Sequence, residues 1–159
     1  YGTHQGLLRE LLLRLKFQQD LSLAHSLGSL LAAHPGLLCI KADMAVPVPL
    51  HGGRLAGRGF NQSLELARPL AKRLGIPLDA ACLVRMRATD PQRGLSRENR
   101  RRNIHAAFTA GQAVRERHIL LVDDIMTTGA TLEAAASALL DAGAASVHVA
   151  VISRTPSFR

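Results

Sequence analysis

The segment that most constrains this chain runs from Ile119 to Thr131 and reads ILLVDDIMTTGAT. Four consecutive apolar residues, Ile119 to Val122, predict a strand buried on both faces, as in a parallel sheet between helices. Asp123 and Asp124 follow at the predicted carboxyl end of the strand, which is where open α/β sheets bind their ligands. We therefore expect the strand to stop at the two acids and the acids to face a ligand.

The residues after the acids predict a turn that opens a helix. Thr127, Thr128, Gly129, Ala130 and Thr131 combine hydroxyl groups with a glycine. Free backbone N–H groups and the positive end of the helix dipole both favour an anion at such a turn. The segment is therefore a candidate phosphate-binding turn. A purely structural strand, turn and helix stays open as an alternative, because Thr-Thr-Gly turns also cap helices without a ligand.

Helices and strands alternate along the chain. Apolar residues at one-turn spacing predict helices over 5–17 and 20–33, with another from Leu132 to Gly143. Asn61 as an N-cap and Gly75 as a C-cap predict a helix over 62–74. Short apolar segments predict strands within 38–49 and over 81–85, 106–109 and 147–152. This alternation predicts an α/β fold with a mostly parallel sheet flanked by helices.

A segment with four glycines and two arginines, residues 50–62, follows the strand predicted within 38–49. The glycines predict a loop. This loop is a candidate anion-binding segment, because glycines let the backbone approach a ligand closely. Arg54 and Arg58 could grip phosphate oxygens in bidentate fashion. An ordinary surface loop is the alternative. The segment is not a dinucleotide fingerprint, since the required order of strand, glycines and acid is absent, and it has no Walker A lysine.

Positive charge is concentrated in residues 85–103, which contain seven arginines and two acids in a chain of net charge +8. This concentration, with little apolar content, predicts a mobile segment that attracts a polyanion. A solvated loop without a ligand stays open. Aromatic residues make up only 3% of the chain, which argues against a nucleic-acid platform built on base stacking.

Length and composition predict a single domain over residues 1–159, with 47% apolar residues. Cys39 and Cys82 lie far apart without a Cys-x-x-Cys motif, so the sequence indicates neither a zinc site nor a disulfide framework. No apolar run reaches the roughly 18 residues of a membrane span, and no signal-like segment opens the chain. We therefore expect a cytoplasmic protein without membrane insertion.

An acidic pair after a strand also occurs in response-regulator receivers. In a receiver that strand opens the domain, whereas here only 35 residues follow Asp124, too few for the remaining strands and helices. A ligand that suits both the acids and the turn carries a pair of sugar hydroxyls and a phosphate. A phosphorylated ribose has both.

The run from Val122 to Gly129 resembles the phosphoribosyl pyrophosphate (PRPP) motif of type I phosphoribosyltransferases. More closely, several separated segments resemble, in order, the ComF/GntX family of competence protein F-like phosphoribosyltransferases. These segments are Val46 to Leu50, Arg54, Arg58 to Gln62, Thr89, Gln92, Leu95, Arg100, Asn103 and Val122 to Thr131. The resemblance covers roughly Tyr1 to Arg154. It implies a type I phosphoribosyltransferase fold with N-terminal helices over 1–36 and a flexible hood over 85–109.

The resemblance also implies roles for the residues of the site. Asp123 and Asp124 would be the catalytic acids that hold the ribose 3′- and 2′-hydroxyls, and Thr127 to Thr131 would bind the 5′-phosphate. Arg54 and Arg58 would face the pyrophosphate. The hood would bring Arg87, Arg97 and Arg100 toward the reacting centre. Mg²⁺ is the implied cofactor, and PRPP would carry it, so no dedicated protein ligands are expected.

The implied function is transfer of the phosphoribosyl group from PRPP to a base or amine acceptor, with release of pyrophosphate. One alternative is a non-catalytic PRPP-binding module in DNA uptake and natural competence. Another is a single-stranded DNA binder that uses the arginine-rich segment. Further candidate partners are the DNA-uptake machinery and a second copy of the chain in a homodimer. Family members usually carry a four-cysteine zinc module ahead of this domain; the sequence shows no such module and no obvious base-reading segment.

Overall fold

The computed structural model describes residues 2–3, 6–18, 20–86 and 107–155. The strands are β1 (Gly2–Thr3), β2 (Met44–Pro47), β3 (Leu83–Arg85), β4 (Phe108–Ala110), β5 (His118–Met126) and β6 (Ser146–Arg154). The helices are α1 (Gly6–Gln18), α2 (Leu21–Ala32), α3 (Pro35–Leu38), α4 (Gly52–Arg58), α5 (Gln62–Leu74) and α6 (Ala130–Asp141), with a 3-10 turn at Gln112–Val114. The predicted helices over 5–17, 20–33 and 62–74 are confirmed to within two residues at each end.

A four-stranded parallel sheet in the order β1, β6, β5, β2 forms the centre of the fold. Ile119 of β5 lies opposite Met44 of β2 on one side and Val147 of β6 on the other. Ile119 to Val122 are fully buried, as a strand covered on both faces requires. The prediction of a mostly parallel sheet is confirmed. Strands β3 and β4 form a separate antiparallel pair that the alternation of helices and strands did not indicate.

Helices cover the sheet on both faces and divide the core into two layers. Leu120 and Val122 of β5 pack in a cluster with α1, α2 and α5, which we call the α5 layer. Ile119 and Leu121 point to the opposite face and pack with α6, β3 and β4, which we call the α6 layer. The alternation of side chains along β5 therefore ties each layer to the same strand.

The predicted loop over residues 50–62 is wrong for Gly52–Arg58, which form the short helix α4. His51 begins this helix, because its Nδ1 accepts a hydrogen bond from the N–H of Gly53 at 3.3 Å. Gly59 ends it in the left-handed conformation, with φ of 73°. Glycine lowers helix propensity by about 1 kcal/mol per residue relative to alanine. The segment is helical despite this cost, with a side-chain hydrogen bond at its start and a left-handed glycine at its end.

Helix α5 follows with the caps expected from the sequence. The side chain of Asn61 accepts a hydrogen bond from the N–H of Ser63, and Gly75 closes the helix with φ of 66°. Pro69 lies inside the helix and Gly28 of α2 lies beside it, so the two helices pack closely there. No helix within the described residues is long and apolar enough to cross a membrane.

We expect Gly28→Ala to destabilise the protein by about 1–3 kcal/mol, as overpacking of a tight contact does. A Cβ atom at this position would lie 2.5 Å from Cγ of Pro69 and 2.7 Å from the carbonyl oxygen of Leu66, so α2 and α5 would have to separate. Urea denaturation measures the change in the free energy of unfolding.

The matched control is Gly57→Ala in α4, where a Cβ would meet no atom within 4 Å. Because alanine favours a helix over glycine, this substitution should stabilise α4 by about 0.5–1 kcal/mol. Equal destabilisation by both substitutions would contradict the close packing at Gly28 and the helical conformation of Gly57.

Candidate functional site

The acidic pair lies inside β5 rather than at its end. The strand continues through both acids to Met126, and Ile125 and Met126 still pair with β6. The expectation that the strand stops at Asp123 and Asp124 is therefore wrong. Hydrogen bonding to the neighbouring parallel strand extends β5 beyond the apolar residues from which its length was predicted.

The alternation of side chains along β5 breaks at the acids. Val122 and Ile125 are three residues apart, so regular alternation would place them on opposite faces of the sheet. Both instead pack in the α5 layer, and Met126 packs in the α6 layer. The strand thus changes its facing between Val122 and Ile125, where the two carboxylates lie.

Asp123 is partly buried and its side chain is held by two hydrogen bonds. Its Oδ1 accepts from the hydroxyl of Ser63 at 2.8 Å and from the backbone N–H of Asp124 at 2.9 Å. Burial, followed by the charge of Asp124, raises the pKa of Asp123 to about 7, while the Ser63 hydroxyl acts in the opposite direction. Burial and the neighbouring charge therefore favour the protonated form of Asp123.

Asp124 is oriented in a similar way by the backbone. Its Oδ1 accepts a hydrogen bond from the N–H of Ile125 at 2.7 Å. The Ser63 hydroxyl and the two backbone N–H groups all donate to Oδ1 atoms of the acids. Each acid therefore keeps one oxygen that neither Ser63 nor these backbone groups occupy.

The predicted turn follows β5 directly and leads into α6. Gly129 adopts the left-handed conformation with φ of 82° at the N-cap of α6, and the Thr128 hydroxyl accepts from the N–H of Ala130 at 3.4 Å. The first N–H groups of a helix have no partner within the helix. Asp123 and the turn line the same pocket. Its lining residues are Asp123, Ile125, Met126, Thr127, Gly129, Ala130, Thr131 and Leu132.

The first turn of α5 contacts the acids, a role that the sequence did not indicate beyond a helix cap at Asn61. Asn61 donates through Nδ2 to the carbonyl oxygen of Val48 at 3.0 Å, and its Oδ1 accepts from the N–H of Ser63. Ser63 then reaches Asp123, which is 60 positions away in the sequence. Local patterns carry no signal for a contact of that range. Gln62, next to Ser63, is buried, and its Nε2 finds no hydrogen-bond partner among the described residues.

The cationic residues predicted for the site are placed only in part. Arg54 and Arg58 lie on α4, which follows β2. Because β2 and β5 are parallel, α4 starts at the same edge of the sheet as the acids. The hood arginines Arg87, Arg97 and Arg100 lie outside the described residues.

Residues 61–158 match the family model for the phosphoribosyl transferase domain. The chain belongs to this family, in its competence protein F-like branch of type I phosphoribosyltransferases. The resemblance drawn from the sequence motifs is thereby confirmed. The matched region begins at the cap of α5 and contains the acids and the turn.

Curated relatives share the same region. The chain is 44% identical over 113 residues to the DNA utilization protein YhgH of Salmonella typhi, which covers 71% of this chain and 50% of that protein. It is 36% identical over 110 residues to competence protein F of Haemophilus influenzae, and this match covers 67% of this chain and 48% of that protein. It is 31% identical over 145 residues to competence protein ComFC of Bacillus subtilis, and this match covers 90% of this chain and 58% of that protein. The chain thus spans about half the length of these relatives.

Solved structures support the fold. The glutamine PRPP amidotransferase from B. subtilis, complexed with ADP and GMP, aligns with a TM-score of 0.58 and 24% identity over 81% of this chain and 26% of that one. The protein TT1426 from Thermus thermophilus aligns with a TM-score of 0.52 and 19% identity, and the alignment covers 86% of this chain and 85% of that one. The fold is that of the phosphoribosyltransferases, as the sequence predicted.

We expect Asp123→Asn to stabilise the ligand-free protein at pH 8. Since the pKa of Asp123 is raised on folding, the folded chain binds more protons than the unfolded chain between the ordinary carboxyl range and about pH 7. The free energy of unfolding of the parent protein therefore falls as pH rises through that window, and asparagine removes this loss. Thermal unfolding should show a Tm higher by on the order of 5 °C at pH 8, because each kcal/mol moves Tm by about 2–4 °C in a chain of this size.

The difference in Tm should shrink as the pH falls toward the ordinary carboxyl range and vanish below it, where Asp123 is protonated in both the folded and the unfolded state. Glu10→Gln is the control, because it removes one negative charge from an exposed position on α1. A Tm for Asp123→Asn that stays below the parent value at every pH would contradict the raised pKa of Asp123.

Proposed function

We propose that the site binds PRPP together with Mg²⁺. The observation that carries this proposal is the shared pocket of Asp123 and the turn at the start of α6. A ligand with a vicinal diol at one end and a phosphate at the other would satisfy both parts. The carboxylates of Asp123 and Asp124 would accept hydrogen bonds from the ribose hydroxyls. The N–H groups of residues 127–131 would donate to the 5′-phosphate.

The charge of the complete ligand also suits the site. Mg²⁺ would enter as part of the substrate complex, held mainly by phosphate oxygens and water. Arg54 and Arg58 on α4 would face the pyrophosphate, since Arg forks match phosphate oxygens. Arg87, Arg97 and Arg100 of the hood are proposed to add positive charge on the open side.

We propose transfer of the phosphoribosyl group as the reaction. The bond between C1 of the ribose and the pyrophosphate oxygen breaks, and its electron pair leaves with the pyrophosphate. A nitrogen of a base or amine forms the new bond to C1 and loses a proton. Positive charge that develops on the ribose would be stabilised by the oriented carboxylates of Asp123 and Asp124, which is electrostatic preorganisation. The hood would exclude water, which would otherwise hydrolyse PRPP.

A second candidate function is PRPP binding without turnover in a DNA-utilization or DNA-uptake pathway. The names of the relatives, a DNA utilization protein and two competence proteins, favour this setting. We propose the same biological context for this chain. A single-stranded DNA-binding role would depend on the arginines of residues 85–103, most of which lie outside the described residues.

We expect millimolar PRPP with Mg²⁺ to raise the Tm of the protein. Binding to the folded state alone stabilises by about 2.7 kcal/mol when the ligand is at 100 times its Kd. The double substitution Asp123→Asn with Asp124→Asn should abolish the increase, measured against the ligand-free Tm of the same variant. Glu10→Gln should keep it. No increase for the parent protein would contradict PRPP binding.

Turnover is tested separately by pyrophosphate release. The protein is incubated with PRPP, Mg²⁺ and a panel of nucleobases and amines, and released pyrophosphate is quantified. A transferase should release pyrophosphate only with its acceptor and form the matching ribosylated product. Binding of PRPP without release across the panel would instead favour the non-catalytic module.

A further inference from the structure

We propose that Ser63 is a positioning residue for the acidic pair. From the first turn of α5, its hydroxyl would hold the Asp123 carboxylate in the orientation in which the remaining oxygen meets a ribose hydroxyl. This inference rests on the proposed PRPP site and assigns a role to a residue outside the acids, the phosphate turn and the cationic segments.

The geometry at Asp123 supports this role. Ser63 is 3% exposed, and its Oγ donates to Oδ1 of Asp123 at 2.8 Å. The same Oδ1 accepts from the N–H of Asp124 at 2.9 Å. Two donors from different elements converge on one carboxylate oxygen, so rotation of the carboxylate about its Cβ–Cγ bond would break at least one of them. Oδ2 is left for a ligand.

Ser63 is itself held in place by the N-cap of α5. Its backbone N–H donates to Oδ1 of Asn61 at 3.0 Å, while Nδ2 of Asn61 donates to the carbonyl oxygen of Val48 at 3.0 Å. The N–H of Val48 donates in turn to the carbonyl oxygen of Val122. The hydrogen bonds therefore connect β5, the end of β2, the start of α5 and the carboxylate of Asp123. A displacement of α5 would move the acid directly.

Ser63 also affects the charge of the Asp123 carboxyl group, because its hydrogen bond favours the ionised form. Among the described residues, the charge that acts on Asp123 is that of Asp124, which raises its pKa. The neighbouring segments Met44–Pro47 of β2 and Val151–Ser153 of β6 carry no ionisable side chain. On α5, Glu65 is engaged by Arg68 at 3.2 Å. The Ser63 hydroxyl, at the positive end of the α5 dipole, thus favours the ionised acid against burial and repulsion.

A purely structural buried hydroxyl is the competing explanation, and the chain contains a matched control for it. Ser153 of β6 is fully buried, and its Oγ has no hydrogen-bond partner among the described residues. Ser153→Ala deletes a buried serine hydroxyl from β6, the strand beside β5, without removing a hydrogen bond to the acids. Ser63→Thr keeps a hydroxyl on the same carbon and serves as the conservative variant.

The first measurement is made without ligand, by carbon NMR of the Asp123 side chain during a pH titration. In Ser63→Ala the titration midpoint of Asp123 should move to higher pH, because the carboxylate loses a donor that favours the charged form. Ser153→Ala should leave the midpoint at the parent value, and Ser63→Thr should bring it back toward that value. An unchanged midpoint in folded Ser63→Ala would overturn the proposal. This result does not depend on PRPP binding, so it separates the role of Ser63 from the proposed function.

The second measurement is the Kd of PRPP with Mg²⁺ by calorimetry. Loss of a hydrogen bond to a charged group should raise the Kd of Ser63→Ala by about tenfold at pH 7. The increase should be smaller at pH 9, where Asp123 is ionised in both proteins. A rise in Kd that is the same at both pH values and is matched by Ser153→Ala would overturn the positioning role. If the parent protein does not bind PRPP at all, the proposed function fails while the ligand-free titration still decides the role of Ser63.

Discussion

Two carboxylates lie next to one another at the point where β5 leaves the buried core, and much of the local structure follows from this placement. Burial penalises the charged form of Asp123, and the charge of Asp124 opposes its ionisation further. The backbone N–H that follows each acid, and the hydroxyl of Ser63, offset part of that penalty. The protein therefore keeps an unfavourable pair in one orientation instead of letting the side chains turn into solvent.

The four buried residues before the acids make this possible. Ile119 to Val122 are enclosed between the α5 layer and the α6 layer and pair with a strand on each side. A segment with that many fixed neighbours cannot shift without disturbing both layers of the core, since protein interiors are close-packed. Because Asp123 and Asp124 directly follow this segment on β5, their backbone is held in place as well. The proposed contact with two ribose hydroxyls would benefit from this rigid support, because functional sites built on strands are more precise than sites on loops.

Sequence patterns predicted the parts of the fold that local interactions decide. The helical spacing of leucines located α1 and α2, the caps Asn61 and Gly75 located α5, and the apolar run with its acids and glycine located β5 and the turn of Gly129. Patterns failed at α4, where four glycines predicted a loop although His51 and Gly59 cap a short helix. They also failed at the end of β5, which continues past its apolar run because β6 pairs with it. The contact between Ser63 and Asp123 spans 60 positions and needed the three-dimensional arrangement.

The two layers contact different parts of the candidate site at the edge of the sheet. The α5 layer reaches the acids through Ser63, and the α6 layer supplies the turn at Gly129.

The segment between β3 and β4 also belongs to the α6 layer at both ends. Arg85 pairs with Phe108 across the antiparallel strands, and the Arg85 guanidinium lies 5.3 Å from the Phe108 ring centroid. Phe108 packs in the same cluster as Leu132 of α6, which lines the pocket. The described residues on either side of this segment, in β3 and β4, are therefore packed in the layer that carries the turn at Gly129. In the proposed complex, the α5 layer would position the acids that bind the ribose, and the α6 layer would position the turn that binds the phosphate. Displacement of either layer along β5 would therefore weaken binding.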